Sequence, residues 1–138
     1  MGDVVTIFVP GNRMLMSTGF RVEPGMAVKI RWLRGQVRFN SLKVEGNAVG
    51  PEGLQRTEFA SRWPNDACYE DPIATPDAGH AGLWAMVDET PVFVGRERSL
   101  VVQHSGEIKV GVNDRTADRP PHLANTGGFW VELERRKP

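Results

Sequence analysis

The chain has 138 residues, 40% of them hydrophobic and 25% charged, which is enough for one domain with a real core and no metal or disulfide staple. Seventeen basic residues balance seventeen acidic ones, so no global field favours nucleic acid or an anionic membrane. A single cysteine, Cys68, excludes an intrachain disulfide, and no apolar run approaches the length of a membrane span.

The N-terminal stretch "MGDVVTIFVPGNR" lacks the basic start and apolar run of a signal peptide, and no Asn-x-Ser/Thr sequon occurs. The expected location is therefore cytoplasmic by default, with signal-less export or delivery to the cell surface as the alternative. The charge is uneven along the chain. Residues 1–43 carry seven basic and two acidic groups, 44–90 carry two and nine, and 91–138 carry eight and six. Interleaving of strands mixes such blocks in space; an acidic rim facing a basic one is the sharper alternative.

Val4–Pro10, "VVTIFVP", is β-branched and runs into Pro-Gly, a strand followed by a turn. In "VEPGM", Pro24 suits the first central position of a type II turn and Gly25 the second, where φ is positive. "MAVKIRW" then alternates: Val28, Ile30 and Trp32 point one way, Lys29 and Arg31 the other, as in a half-buried antiparallel strand. The segment from about Lys43 to Gly79 is polar, turn-rich and acidic, and reads as long loops. "AGHAGLWAMVDE" (Ala78–Glu89) is ambiguous, because Ala, Leu and Met favour helix while two glycines oppose it. "PVFVG", "SLVVQ" and "EIKVGV" follow at intervals of about ten residues. In "GGFWVELERR", Phe129, Val131 and Leu133 alternate with Trp130, Glu132 and Glu134 as a closing strand. Short, regularly spaced strands with little helix predict a single all-β domain over 1–138, an antiparallel β-sandwich or jelly roll.

Catalytic patterns are thin. Cys68 with His80, His104 or His122 is a conceivable Cys–His pair, yet "NDACYEDP" supplies neither a helix N-terminus nor a basic neighbour to activate the thiol. The histidines lie 24 and 18 residues apart and form no zinc spacing. Glu70-Asp71 is explained by a solvated loop, and there is no phosphate-binding glycine motif and no nucleophile elbow. A non-catalytic protein is expected.

The loop "NDRTADRPPHLANTGG" is the strongest candidate. Asp114, Asp118 and Asn125 are hard oxygen donors of the kind calcium takes. Asp and Asn also cap turns through their own backbone, so composition leaves both readings open.

Several stretches, in order, resemble the LecA-like family of calcium-dependent, galactose-binding bacterial lectins. They are "STGFRVEPGMAVKIRWLRGQV", "GPEG" (Gly50–Gly53), "PDAGHAGLWAMV" and "PVFVG…SGEIKVGVND…NTGGFWVEL". The likeness covers nearly the whole chain, and the pairing Asn-Asp…Asn-x-Gly-x-Phe-x-Val is its most specific part. It implies a galactose-binding-like jelly roll. In that family's frame Asp114 falls on a bidentate calcium carboxylate and Asn125 on an amide that touches calcium and sugar hydroxyls. Phe39 falls near a tyrosine whose backbone carbonyl is a ligand.

Two departures stand out. Ala124 occupies a position that is a carboxamide or carboxylate in lectin members, and the loop is longer than in the galactose binder and contains Pro120-Pro121. Asp118 is the candidate replacement ligand. Trp63-Pro64 falls where the galactose binder has a sugar-contacting His-Pro pair. Trp63 is thus a stacking platform for a pyranose or else a plug over the core. Asn65, Asp66 and His122 complete the ligand-binding candidates.

The resemblance implies a non-catalytic lectin-like module with calcium as cofactor, a galactose-type hexose or glycan as partner, and homo-oligomers for multivalency. The alternatives are a structural or protein-interaction sandwich that has lost calcium and sugar binding, and a hydrolase centred on Cys68 or an acidic pair.

Overall fold

The computed structural model describes residues 2–38, 48–55, 58, 72–73, 78–115, 117 and 125–138. Among these residues ten strands lie in this order: β1 (Asp3–Pro10), β2 (Met16–Val22), β3 (Ala27–Arg34), β4 (Val37–Arg38), β5 (Ala48–Val49), β6 (Leu83–Val87), β7 (Thr90–Phe93), β8 (Glu97–Val101), β9 (Gly106–Val112) and β10 (Thr126–Arg136). All pairings between them are antiparallel. One sheet runs β5-β4-β10-β3-β8, with β1 on the remaining side of β10; the other runs β2-β9-β6-β7. The expected β-sandwich is what forms.

The two sheets face each other through the alternating residues. Val28 and Ile30 of β3, Phe129, Val131 and Leu133 of β10, and Ile108, Val110 and Val112 of β9 are all buried in one cluster. Their neighbours Lys29, Arg31, Glu132 and Glu134 stand on the outer face, where Arg31 pairs with Glu132 at 3.3 Å. Each fully buried Val, Leu or Phe contributes about 1.5–3 kcal/mol.

The turn expected at Glu23–Met26 is present. The Met26 N–H donates to the Glu23 carbonyl at 3.1 Å, and Gly25 has φ +88°. The ambiguous Ala78–Glu89 stretch contains strand β6, and the reason it shows no alternation is physical. Leu83, Ala85 and Val87 face the inter-sheet core. Trp84 belongs to a second cluster with Ile73 and Ala78, against which Met14, Leu15, Met86 and Phe93 pack. A strand buried on both faces shows no period of two. The second cluster is covered by the β1–β2 connection: Trp84 Nε1–H donates to the Met14 carbonyl at 2.7 Å. That carbonyl lies so close to Gly111 of β9 that an added Cβ would sit 1.8 Å from it.

Candidate functional site

The ladder between β6 and β9 runs one step past the strands. Asn113 donates its N–H to the Gly82 carbonyl at 2.8 Å and accepts from Ala81 N–H at 2.9 Å. Since Val112 points into the core, strand alternation turns Asn113 toward the opposite face. There both ends of its amide are engaged: Nδ2 donates to the Gly79 carbonyl at 3.0 Å, and Oδ1 accepts from Ile73 N–H at 3.2 Å. Asn113 thereby ties the end of β9 to two parts of the β5–β6 connection.

The chain then bends sharply. Asp114 N–H donates to the Val112 carbonyl at 2.7 Å, and Ala117 N–H to the Asp114 carbonyl at 3.1 Å. This bend brings the Asp114 carboxyl back over the end of the sandwich, where only 2% of the residue is exposed. Asn125, immediately before β10, is buried beside it, and its Nδ2 donates to Asp114 Oδ2 at 2.9 Å. Asn125 N–H also reaches the Ala117 carbonyl, at 3.4 Å. The two ends of the loop, eleven positions apart, are thus closed by side chains as well as by main chain.

A third buried group completes the cluster. His80 is 2% exposed, and its Nε2 lies 3.8 Å from Asp114 Oδ2. It is held by a two-way bridge to Leu54, with His80 N–H donating to the Leu54 carbonyl at 2.7 Å and Leu54 N–H returning to His80 at 2.9 Å. Beneath that bridge, Gly50–Gly53 forms the expected turn, closed by Gly53 N–H to the Gly50 carbonyl at 3.0 Å. Gly79 packs directly on it: a Cβ there would lie 1.9 Å from the Glu52 carbonyl. Ala81, fully buried, takes the left-handed region at φ +63° to carry the chain from His80 into β6.

Of the sequence-predicted residues, Asp114 and Asn125 are brought together. Phe39, Trp63, Asn65, Asp66, Asp118 and His122 lie outside the described residues, as do Cys68 and Ala124. His104 is far from the cluster along β6: its N–H donates to Asp88 Oδ1 at 3.0 Å, at the end of the strand opposite His80. His80 and Asn113 were not among the predicted binding residues. No spacing distinguishes them, because a buried polar side chain at a strand end looks in sequence like any turn residue. Among the described residues, no three His, Cys, Asp or Glu side chains converge as a metal-binding group. Among the described residues, Asp114 is thus the one carboxylate beside the Asn125 amide, with main-chain oxygens around it.

No family model and no curated protein matches the chain. Among solved structures, the N-terminal domain of EclA, described as a PllA-like lectin, superposes with a TM-score of 0.65 at 20% sequence identity. The match spans 96% of this chain and 98% of that one. At such identity the likeness is one of fold, and the chain has, over nearly its whole length, the β-sandwich fold of a lectin domain.

Proposed function

We propose that this protein is a non-catalytic carbohydrate-binding module whose site is built around the Asp114–Asn125 loop. The observation that carries the reading is the buried pairing of Asp114 with Asn125 at one end of a lectin-type sandwich. The donor chemistry fits a hard cation. Two oxygens sharing a calcium ion at 2.3–2.6 Å stand about 3 Å apart. The Asp114 and Asn125 side-chain heads are 2.9 Å apart, and a half-turn of the amide would present its oxygen instead of its nitrogen. Asp114, Asn125 and loop carbonyls, with Phe39 and Asp118 as candidate contributors, would hold calcium. The ion would supply a charge that orients vicinal hydroxyls of a galactose-type hexose. Trp63 would stack on the sugar ring, with Asn65, Asp66 and His122 offering polar contacts. Several sites on one homo-oligomer would raise avidity.

One observation favours a second reading, in which the loop is a metal-free interaction surface. His80 and Asn125 already face the Asp114 carboxyl inside the fold. A satisfied buried polar cluster can fix a loop without a cation.

Thermal melts in calcium, in EDTA and with a panel of monosaccharides separate the two. A micromolar site at millimolar calcium adds about RT ln(1000), roughly 4 kcal/mol. Asp114→Ala should abolish that shift while the sandwich still folds. Superimposable melts in calcium and EDTA would sink the metal and leave the interaction surface. A glycan array that is blank for wild type, or unchanged by Trp63→Ala, would count against the sugar site or against Trp63 respectively.

A further inference from the structure

Sandwich edges present unpaired N–H and C=O groups, and natural sheets blunt them with shortness, charge, proline or bulges. Most edges here are treated in that way. β5 has two residues, β7 has four including Pro91, and β8 carries Glu97 and Arg98. β2 shifts register between Ser17 and Arg21, with Gly19 at φ +74°. β1 is different. It has eight residues, pairs β10 without a break, and has no strand on its other side among the described residues. Between Asp3 and Pro10 it holds no charge, glycine or proline. Val4 and Phe8, two of the three exposed large hydrophobic residues among those described, stand on it, 54% and 39% exposed.

The direction of its backbone groups follows from the ladder. Gly11, opposite Gly127 in this register, donates its N–H to the Gly127 carbonyl at 2.9 Å. Alternation then turns the N–H and C=O of Val5, Ile7 and Val9 toward β10, and those of Val4, Thr6 and Phe8 toward the open edge. Pro10, which has no N–H to offer, falls on the outward parity, the position an edge tolerates.

We infer that β1 is the seam of a two-fold symmetric dimer, in which β1 of a second copy adds antiparallel to it and the sheet continues across the axis. The occupant is chosen by self-complementarity. With the axis through Thr6, Val4 lies opposite Phe8 of the second copy, Val5 opposite Ile7, and Thr6 opposite Thr6. The Val4–Phe8 and Thr6–Thr6 backbone pairs are then hydrogen-bonded pairs, and donorless Pro10 falls opposite Gly2, beyond the end of the partner's strand. The two exposed hydrophobics cover each other twice, beside Trp130, whose ring centroid lies 5.1 Å from that of Phe8. Val5 and Ile7, which border the core, extend its apolar layer across the seam. A register centred on Ile7 would place donorless Pro10 opposite Val4, and one centred on Val5 would leave Phe8 opposite Gly2. An unrelated peptide could add to the edge as well, but this strand meets its own requirements.

Sedimentation velocity across a concentration series tests the seam. The wild-type chain should reach a dimer, and two variants should weaken it by at least about tenfold while keeping their near-UV circular dichroism. Thr6→Pro deletes the outward N–H at the axis and leaves the bonds to β10 intact. Val4→Lys places a charge against Phe8 on an exposed position where folding is not at stake. Thr6→Cys in a Cys68→Ser background should form an intermolecular disulfide, since directly opposed strand residues fall within disulfide reach. Phe8→Cys in that background should not. A wild type that stays monomeric, or a dimer indifferent to both edge variants, overturns the proposal whatever the outcome of the sugar and calcium assays. A dimer that cross-links through Phe8→Cys and not Thr6→Cys overturns the register.

Discussion

Asn113→Ala is the substitution by which the architecture of the site is most directly tested. The side chain is fully buried and spends both ends of its amide on main chain, the Ile73 N–H at 3.2 Å and the Gly79 carbonyl at 3.0 Å. Truncation leaves one donor and one acceptor buried without that partner. Each orphaned group costs about 1–3 kcal/mol, so the two together cost roughly 3 kcal/mol once partial rearrangement is allowed. For a domain of this size 1 kcal/mol moves the melting temperature by about 4 °C, which puts the expected drop near 10 °C. Calorimetry gives the number, and native-state hydrogen exchange gives its location. The Ile73 amide should lose protection well before amides of β9 and β10 do. The effect should also reach the candidate site, because Gly79 precedes His80, whose ring faces Asp114. A variant that melts within about 2 °C of wild type, with Ile73 still protected, would refute the idea that these bonds hold the loops in place.

Gly111→Ala should be more severe, by about 4 kcal/mol or loss of soluble protein, since its Cβ would meet the Met14 carbonyl and Leu15 backbone rather than a yielding side chain. Expression and melting of the variant decide it. Glu89→Gly should stabilise by about 0.5–1 kcal/mol, because Asp88 and Glu89 form the β6–β7 turn with both φ values near +60°. An unchanged or lower melting temperature would count against strain at that turn. Ala81→Gly relaxes a left-handed alanine but removes a fully buried methyl, so its net effect on stability should stay within about 1 kcal/mol. If the backbone there serves to position His80, the same change should weaken ligand binding at unchanged fold, which isothermal titration with calcium or a bound sugar would read.

Much of the fold is legible because burial is one-sided. β3 and β10 announce themselves through Val28-Ile30 and Phe129-Val131-Leu133 set against charged neighbours, and the Pro24-Gly25 turn through its φ requirement. β6 is not legible as a strand, because Trp84 fills a second cluster while Leu83 and Ala85 fill the first. The Asp88-Glu89 turn is hidden for another reason. Asp88 suits the first position of such a turn, but Glu89 stands where glycine is preferred, and the Asp88 carboxylate also accepts from Gln103 N–H at 2.7 Å and His104 N–H at 3.0 Å. In the candidate site, the Asp114 and Asn125 frame is visible in sequence through the resemblance of Asn-Asp…Asn-x-Gly-x-Phe-x-Val to a lectin loop, since residue type alone fits a plain turn as well. His80 and Asn113 are invisible because their significance comes from partners 34 positions apart in the chain.

These features bear on whether the polar cluster exists for folding or for binding. The sandwich closes through an apolar core in which Ile30, Ile108, Phe129 and Leu133 are fully buried among other apolar residues. At the end where β6, β9 and β10 meet the loops, by contrast, the chain accepts several local costs at once. Ala81 adopts a left-handed backbone, Gly79 allows an approach that no side chain would permit, and four polar residues lie beneath the surface. Each of these costs serves the same result, which is to fix His80, Asp114 and Asn125 relative to one another. Strain and buried polarity gathered at one loop cluster are what preorganised sites require and what a plain turn does not. Closing the loop alone would have needed only the Asp114–Ala117–Asn125 main-chain bonds. The side-chain cluster goes beyond closure, and that surplus is the physical argument for a site.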